Sequence, residues 1–440
     1  MTSIIAIVGR PNVGKSTFFN RLSRSRDSLV DDQPGVTRDR IYATVTWEGK
    51  SFVLVDTGGF DEQDQGPFSG QIREQVIKAL EEADQIIFMM DGIKGLLPAD
   101  EEVAAILRRH DKKIYPVINK IDGPEKEDLL HDFYRLGVDT LYPLSSAHGY
   151  GLKGLMSDII EAIPDEAEPA ENTSQVRVAV LGRPNAGKSS LINKLLGLDR
   201  LLVSELPGTT RDSIDIRLTR NNREYLFIDT AGIRRKSKVS DKIDKFSMIR
   251  AIRCIERCHI AIIMIDADAG VSEQDARICG YALDRMRGVI LAVNKWDLIK
   301  KDAERIRQLN LDIDRQLNFI PYAPRVNISA LTGERVNRIF NKIDLVFEQF
   351  NMRVNTGAVN RLIGEMIFKR PPPLVGSTRL KFYYATQTGN RPPTFVVFVN
   401  RPKAVHFSYE RFIINQIREN FGLDNIPIRV VFRERKRNQK

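Results

Sequence analysis

The chain has 440 residues, 42% hydrophobic and 28% charged, with a net charge of +10. That balance excludes a disordered chain, and no apolar run approaches the roughly 20 residues of a membrane span, so no membrane partner is expected. The positive excess sits at one end: residues 355–440 hold 16 Lys and Arg against 5 Asp and Glu, whereas the rest of the chain holds 51 bases and 52 acids. A basic end module on a neutral body points to a polyanionic partner.

In chain order, an apolar strand-like run at 4–8 has no basic segment before it, so a secretory signal is not expected. It leads into Gly9, Arg10, Pro11, Asn12, Val13, Gly14, Lys15 and Ser16, and a helical pattern at 15–24 follows. G-x-x-x-x-G-K-S between a strand and a helix is a phosphate-binding loop. Its glycines let successive backbone N–H groups wrap phosphates, and the helix N-terminus adds positive potential. Lys15 is placed to reach the β- and γ-phosphates, and Ser16 to offer a hydroxyl to Mg2+. Thr37, in a Pro/Gly segment, could supply a second Mg2+ hydroxyl. The run at 52–55 ends in Asp56, Thr57, Gly58 and Gly59, followed by Phe60. Asp56 would hold Mg2+ through water, and Gly59 would offer an N–H to the γ-phosphate.

A helical pattern at 71–82 and strand-like runs at 86–90 and 114–118 come next, the last ending in Asn119, Lys120, Ile121 and Asp122. The carboxylate of N-K-x-D can accept from both N1–H and the exocyclic amine of guanine, a donor pair that adenine lacks. A site built for such a pair rejects the analogue without it by orders of magnitude. Asn119 would brace this site and Lys120 would pack on the base. After a run at 141–144, Ser146 and Ala147 would bring backbone N–H groups to the guanine O6.

The series then recurs. Gly182, Arg183, Pro184, Asn185, Ala186, Gly187, Lys188 and Ser189 repeat the phosphate loop, Thr210 the threonine, and Asp229, Thr230, Ala231 and Gly232 the DTxG motif, with Ile233 after it. Asn294, Lys295, Trp296 and Asp297, then Ser329 and Ala330, complete the set. The offset is 173 at the phosphate loop and DTxG, 175 at N-K-x-D and 183 at the Ser-Ala pair. Five motifs in one order make a duplicated domain rather than a short-period array. Near-continuous apolar strands alternating with helices predict an α/β fold with a mostly parallel sheet and ligands at the strand carboxyl ends. The boundaries read as 1–163, an acidic two-proline linker at 164–174, 175–352, and an end domain at 353–440.

The end domain breaks the pattern. A helix at 359–368, strands at 379–385 and 394–399 joined by TQTGNRPP, a helix at 409–420 and a strand at 428–433 make a small α+β unit. Arg433, Arg435, Lys436 and Arg437 are candidate contacts to RNA phosphates, and Arg234, Arg235, Lys236 and Lys238 are a second basic stretch. Cys254 and Cys258 stand four apart on a helix-like segment with nothing that resembles a second ligand pair, so a tetrahedral zinc site is not the preferred reading, and with Cys279 they read as reduced, buried thiols.

These motifs resemble the translation-factor class of small GTPases. Two such domains followed by a basic end domain are similar to the EngA/Der family over essentially the whole chain. The resemblance implies a KH-like end domain, GTP and GDP as ligands, and a bacterial cytoplasmic GTPase for assembly of the large ribosomal subunit, bound through ribosomal RNA and not DNA. Where Ras-like proteins carry a water-orienting glutamine after DTxG, this chain has Phe60 and Ile233, so hydrolysis is expected to be slow without help. The family resembles potassium-activated GTPases, and Asn12 and Asn185 match the position that helps bind K+. KH domains clamp RNA with a GXXG loop, but no two of Gly357, Gly364, Gly376, Gly389 and Gly422 stand three apart. The likeness to KH is therefore one of architecture. The alternative is a regulatory GTPase whose end domain binds a protein.

Overall fold

The computed structural model describes residues 3–23, 42–57, 76–77, 79–80, 83–110, 112–163, 175–197, 202–207, 214–230, 246–372, 374–375 and 378–434. Contacts divide the chain into two compact units that part between residues 171 and 172.

The first unit runs β1 (Ser3–Val8), α1 (Lys15–Ser23), β2 (Tyr42–Trp47), β3 (Lys50–Asp56), β4 (Gln85–Asp91), α2 (Pro98–Leu107), β5 (Lys113–Asn119), a 3-10 segment (Pro124–Leu136), β6 (Tyr142–Leu144) and α3 (Leu152–Glu161). Its sheet has the order β2-β3-β1-β4-β5-β6, parallel except where β2 pairs with β3. Every residue of β1 and β4 is buried, which is why these strands read as unbroken apolar runs rather than alternating ones. The chain steps from β1 to β3 on one side and to β4 on the other, so a crevice opens at the carboxyl end of β1, where the phosphate loop begins.

The second unit repeats this plan: β7 (Val176–Leu181), α4 (Lys188–Leu196), β8 (Leu202–Pro207), β9 (Ile214–Arg220), β10 (Arg223–Phe227), α5 (Phe246–Arg257), β11 (Ile260–Asp266), α6 (Glu273–Asp284), β12 (Gly288–Asn294), α7 (Trp296–Ile299), α8 (Ala303–Gln316), β13 (Arg325–Asn327) and α9 (Arg338–Asn351). The sheet order is β13-β12-β11-β7-β10-β9-β8, with β8, β9 and β10 antiparallel. The helix expected at 71–82 falls largely outside the described residues.

The same unit continues into the end domain: α10 (Thr356–Lys369), β14 (Leu374–Val375), β15 (Thr378–Arg379), β16 (Phe382–Asn390), β17 (Pro393–Val399), α11 (Phe407–Phe421) and β18 (Arg429–Glu434). The strand predicted at 379–385 is divided. Thr378–Arg379 pairs with Leu374–Val375, and β16 begins at Phe382 and continues to Asn390. The TQTGN stretch, predicted as a connection, is therefore strand. Thr386 and Gln387 pair with Val396 and Phe395, Thr is at ease on a pleated surface, and an irregularity between Gln387 and Gly389 absorbs the glycine.

One hydrophobic cluster runs through this unit, from β7 and β11 through Ile343, Phe347 and Phe350 of α9 to Val359, Phe395 and Ile413 of the end domain. Polar ties cross the same junction. Asn425 N–H donates to Gln349 Oε1 at 2.8 Å, Arg391 Nε to Asn351 Oδ1 at 2.6 Å, and the Arg418 guanidinium lies 4.6 Å from the Tyr322 ring. The end domain is thus built onto α9 rather than tethered to it. Among the described residues no helix is long and apolar enough to cross a membrane.

Candidate nucleotide-binding sites

Each phosphate loop lies between a buried strand and a helix, and its glycines are required by what lies behind them. Gly14 has φ +101°, and a Cβ there would stand 2.2 Å from Asn119 Nδ2. Gly187 has φ +99°, with Asn294 Nδ2 at 2.1 Å from such a Cβ. Val13 and Ala186 are fully buried and pin the loop to the core. Lys15 Nζ donates to the carbonyls of Gly9 (2.8 Å) and Arg10 (2.9 Å), and Lys188 Nζ to those of Gly182 and Arg183 (2.7 Å each). Lys15 is buried and its ammonium requires such partners; the half-buried Lys188 takes the same ones from its own loop. Asn12 (φ 65°) and Asn185 (φ 59°) are left-handed and exposed, as Pro11 and Pro184 partly are.

Asn119 and Asn294 tie three segments together. Asn119 Nδ2 donates to Val13 O at 2.7 Å while its Oδ1 accepts Ser146 N–H at 2.8 Å. Asn294 Nδ2 donates to Ala186 O at 2.8 Å and its Oδ1 accepts Ala330 N–H at 2.8 Å. The next residues, Lys120 and Lys295, adopt left-handed φ and lay their ammonium groups 2.6 Å from Asp91 and Asp266. Burial opposes the charge on Asp91, but hydrogen bonds from Lys120 and from the Lys94 and Ile93 backbone override it and hold the carboxyl below its usual range. Ile121 and Trp296 are buried, and their N–H groups donate to Leu144 O and Ile328 O at 3.0 Å each. Asp91 and Asp266 were not singled out from the sequence. They end strands at the same 175-residue offset as N-K-x-D, a signal that was available.

The hydrogen bonds also correct the repeat register at the Ser-Ala loop. Ser145 N–H donates to Tyr150 O and Ser329 N–H to Glu334 O, while Gly149 and Gly333 N–H return to Ser145 O and Ser329 O. Ser145 therefore matches Ser329, and Ser146 matches Ala330, an offset of 184. Ala147 lies one residue beyond the pair. The mismatch arose because Ser-Ser-Ala offers the letters S-A one place too late. A cation from the phosphate-loop helix lies against this loop in each copy. Arg21 Nε donates to Ser146 O at 2.6 Å, and its Nη2 to Ala147 O; Lys194, at the matching place, packs against Gly333.

The two carboxylates expected to read the base have different neighbours. Asp122 accepts from Lys126 Nζ at 2.9 Å and Ser145 Oγ at 2.8 Å, and these two bonds hold it below the usual carboxylate range. Asp297 Oδ1 is buried with no hydrogen-bond partner among the described residues. An unsatisfied buried acceptor is costly, and the donor pair of a guanine would satisfy it.

At the phosphate end of the first copy, Ser16 Oγ donates to Asp56 Oδ2 at 2.7 Å. A hydroxyl and a carboxylate converging beside the phosphate loop are hard oxygen donors that suit Mg2+. In the second copy Asp229 has φ 51°, and its Oδ2 faces the Cys254 thiol at 3.8 Å. Burial, with Asp215 adding to it against the pull of Arg250, raises this carboxyl above its usual range. Thr57 and Thr230 are buried below these acids, Thr57 Oγ1 donating to Ile7 O at 2.7 Å. Cys254, Cys258 and Cys279 are buried thiols. Thr37, Gly58, Gly59, Phe60, Thr210, Ala231, Gly232, Ile233, Arg234, Arg235, Lys236, Lys238, Arg435, Lys436 and Arg437 lie outside the described residues; Arg433 is exposed on β18.

Comparison with known proteins identifies the family. Residues 4–120 and 177–295 match the family described as 50S ribosome-binding GTPase, and residues 353–433 match the KH-domain-like C-terminal domain of EngA bacterial GTPase enzymes. The chain is 49% identical over 440 residues to GTPase Der of Syntrophobacter fumaroxidans, covering 99% of each. It is 50% identical over 434 residues to GTPase Der of Syntrophotalea carbinolica, covering 98% of this chain and 99% of the relative. A crystal structure of Aquifex aeolicus Era bound to GDP and AlF4− is similar at 22% identity and a TM-score of 0.31, over 59% of this chain and 93% of that one.

Proposed function

This chain belongs to the Der, or EngA, family of GTPases and is a GTP hydrolase, and from that premise we propose that it binds GTP at both repeats and docks through RNA on the large ribosomal subunit during its assembly, in the cytoplasm. The observation that carries the two-site reading is the paired role of Asn119 and Asn294, each joining its phosphate loop to its Ser-Ala loop. Asp122 and Asp297 then read guanine, and Ser146 and Ala330, with Ala147 beside them, line its O6 edge. Lys15 and Lys188 exchange loop carbonyls for phosphate oxygens when nucleotide enters. Ser16 with Asp56, and Ser189 with Asp229, are the residues that would hold Mg2+, joined by Thr37 and Thr210. When bound, Mg2+ supplies positive charge to the β- and γ-phosphates. Asn12 and Asn185, exposed at the lip of each loop, are the proposed K+ ligands.

Titration of the full chain with a non-hydrolysable GTP analogue should give two sites per chain. Asp122→Asn and Asp297→Asn should each weaken one of them about ten- to a hundredfold, as a lost partner for a buried donor pair does. Stoichiometry that stays at two with wild-type affinities sinks the base-reading assignment. Hydrolysis should be slow alone, on the order of 10⁻⁴ to 10⁻² s⁻¹, and faster in K+ than in Na+ unless Asn12 and Asn185 are replaced. Equal rates in both salts would remove the K+ role. For docking, binding of the chain to protein-free ribosomal RNA should weaken with salt at a slope of roughly −0.7 to −0.9 per phosphate contact. A flat salt dependence would leave a protein partner as the better reading.

A further inference from the structure

The sheet of the end domain has two unlike faces, and the register assigns each residue to one of them. Ala385, Phe395, Val397, Val399 and Val430 pack into the cluster shared with α10 and α11. Because side chains alternate along a strand, their neighbours face the other way. In that outward set Tyr384 pairs with Phe398 and Thr386 with Val396 across β16 and β17. Thr394, Val396 and Phe398 pair in turn with Arg429, Val431 and Arg433 across β17 and β18.

One row of this face is therefore Tyr384–Phe398–Arg433. The two rings are stacked, with centroids 4.3 Å apart and planes 14° from parallel. Tyr384 remains 42% exposed, so a flat aromatic surface meets water beside an exposed guanidinium. Val396 is buried at the centre of the face, and the threonines beside it offer hydroxyls. Both charged residues of the outward set, Arg429 and Arg433, are positive. Glu434, the acid of β18, pairs with Val399 and so belongs to the helix-facing register.

Stacked aromatics beside arginines, on a module with 16 bases and 5 acids, match the chemistry of a single nucleic-acid strand: bases stack on rings and phosphates meet the arginines. A duplex keeps its base faces stacked within the helix and offers none to the rings, and an apolar protein partner would leave Arg429 and Arg433 without counter-charges. We propose that this outward sheet face, rather than a loop clamp or the basic tail, grips a single-stranded RNA segment, with a base stacked on the Tyr384–Phe398 pair and phosphates on Arg433 and Arg429. The proposal rests on the RNA-docking reading above and adds to it the place of contact and the strandedness of the RNA.

The test uses the full chain, a fluorescein-labelled single-stranded RNA of about a dozen nucleotides, and large-subunit particles. Tyr384→Ala and Phe398→Ala should each weaken oligonucleotide binding about ten- to a hundredfold, at every salt concentration and with the salt slope unchanged. Tyr384→Phe keeps the ring and should bind as wild type does. Arg433→Gln should lower the slope of log K against log salt by about 0.7. GTP hydrolysis and the thermal midpoint serve as folding controls. If Tyr384→Ala fails them, Tyr384→Trp decides, because its fluorescence should be quenched when the oligonucleotide binds and its absence of quenching overturns the stack. Wild-type affinity in both folded alanine variants overturns the proposal while leaving RNA docking intact. A loss confined to particles, with oligonucleotide binding unchanged, overturns it in favour of a protein contact. Failure of the wild-type chain to bind any RNA fails the docking reading itself and this proposal with it.

Discussion

In the first repeat Asp122 holds Lys126 and Ser145, and Asp56 holds Ser16; in the second, Asp297 keeps a buried oxygen with no partner among the described residues and Asp229 turns toward Cys254. The motif letters at these positions are nearly the same, yet the acids have different neighbours. A third pair extends the contrast. Asp84 and His259 occupy matching positions just before β4 and β11, each N–H donating to the first strand of its sheet, at Ile4 O and Arg177 O. Each side chain accepts the N–H of that same strand residue, Asp84 from Ile4 at 2.8 Å and His259 from Arg177 at 3.2 Å. One structural task is done by a carboxylate in one copy and an imidazole in the other. Repeats conserve the chemistry that meets the ligand while the supporting residues diverge, because several side chains can satisfy the same backbone donor.

The sharpest way to break the comparison is at the point where the copies agree most. Gly14→Ala and Gly187→Ala should each remove nucleotide binding at their own site by about 3 kcal/mol or more, since strain at positive φ alone costs about 1–3 kcal/mol and the added Cβ must displace the asparagine. Calorimetric stoichiometry should fall from two to one in each variant. If only one of them loses a site, the two loops are not equivalent supports.

A smaller effect should separate the copies by pH. Burial, with Arg177, Arg391 and Arg287 around it, pushes His259 from 6.5 down to about 3. The unfolded chain binds this proton below pH 6.5 and the folded chain does not, so stability is whole above 6.5 and declines as pH falls toward 3. At pH 5 the loss from this group is about 2 kcal/mol, at about 1.4 kcal/mol per pH unit. Urea unfolding of the second unit at pH 7.5 and pH 5 should show it, and His259→Asn should flatten the difference. An unchanged pH response in that variant would assign the effect elsewhere.

The least change is expected from Lys126→Met. The ammonium occupies Asp122 through an exposed pair, and such pairs are weak. Its removal should tighten guanine nucleotide binding at the first site a few-fold and leave the second untouched. Weaker binding would mean that Lys126 touches the nucleotide instead of competing with it.

Both repeats, the parallel strands of their sheets and the mixed helix-and-strand make-up of the end domain were legible because each rests on a local pattern: unbroken apolar strands, a glycine loop before a helix, and a motif at a strand end. The antiparallel edge strands β2, β8 and β9 and the short β14–β15 pair were not. The Ser-Ala register was not, since Ser145, Ser146 and Ala147 differ in role only through the groups they meet: Ser145 closes a turn with Gly149 and Tyr150, whereas Ser146 N–H reaches the distant Asn119. The strand through TQTGN was missed for a related reason. Its residues look like a turn in isolation and become strand when Val396 and Phe395 lie alongside.

By itself the sequence determined the phosphate loops, the paired N-K-x-D motifs, the duplication and the basic end module, since these follow from residue type and short spacing. Tertiary structure alone decided that Lys126 covers Asp122, that Cys254 faces Asp229, that Phe347 and Phe350 of α9 serve the end domain's core as well as their own, and that Tyr384, Phe398 and Arg433 form one row. Each of these joins residues tens of positions apart or more, or sets a side-chain orientation, and packing rather than local propensity chooses among the arrangements that the sequence allows.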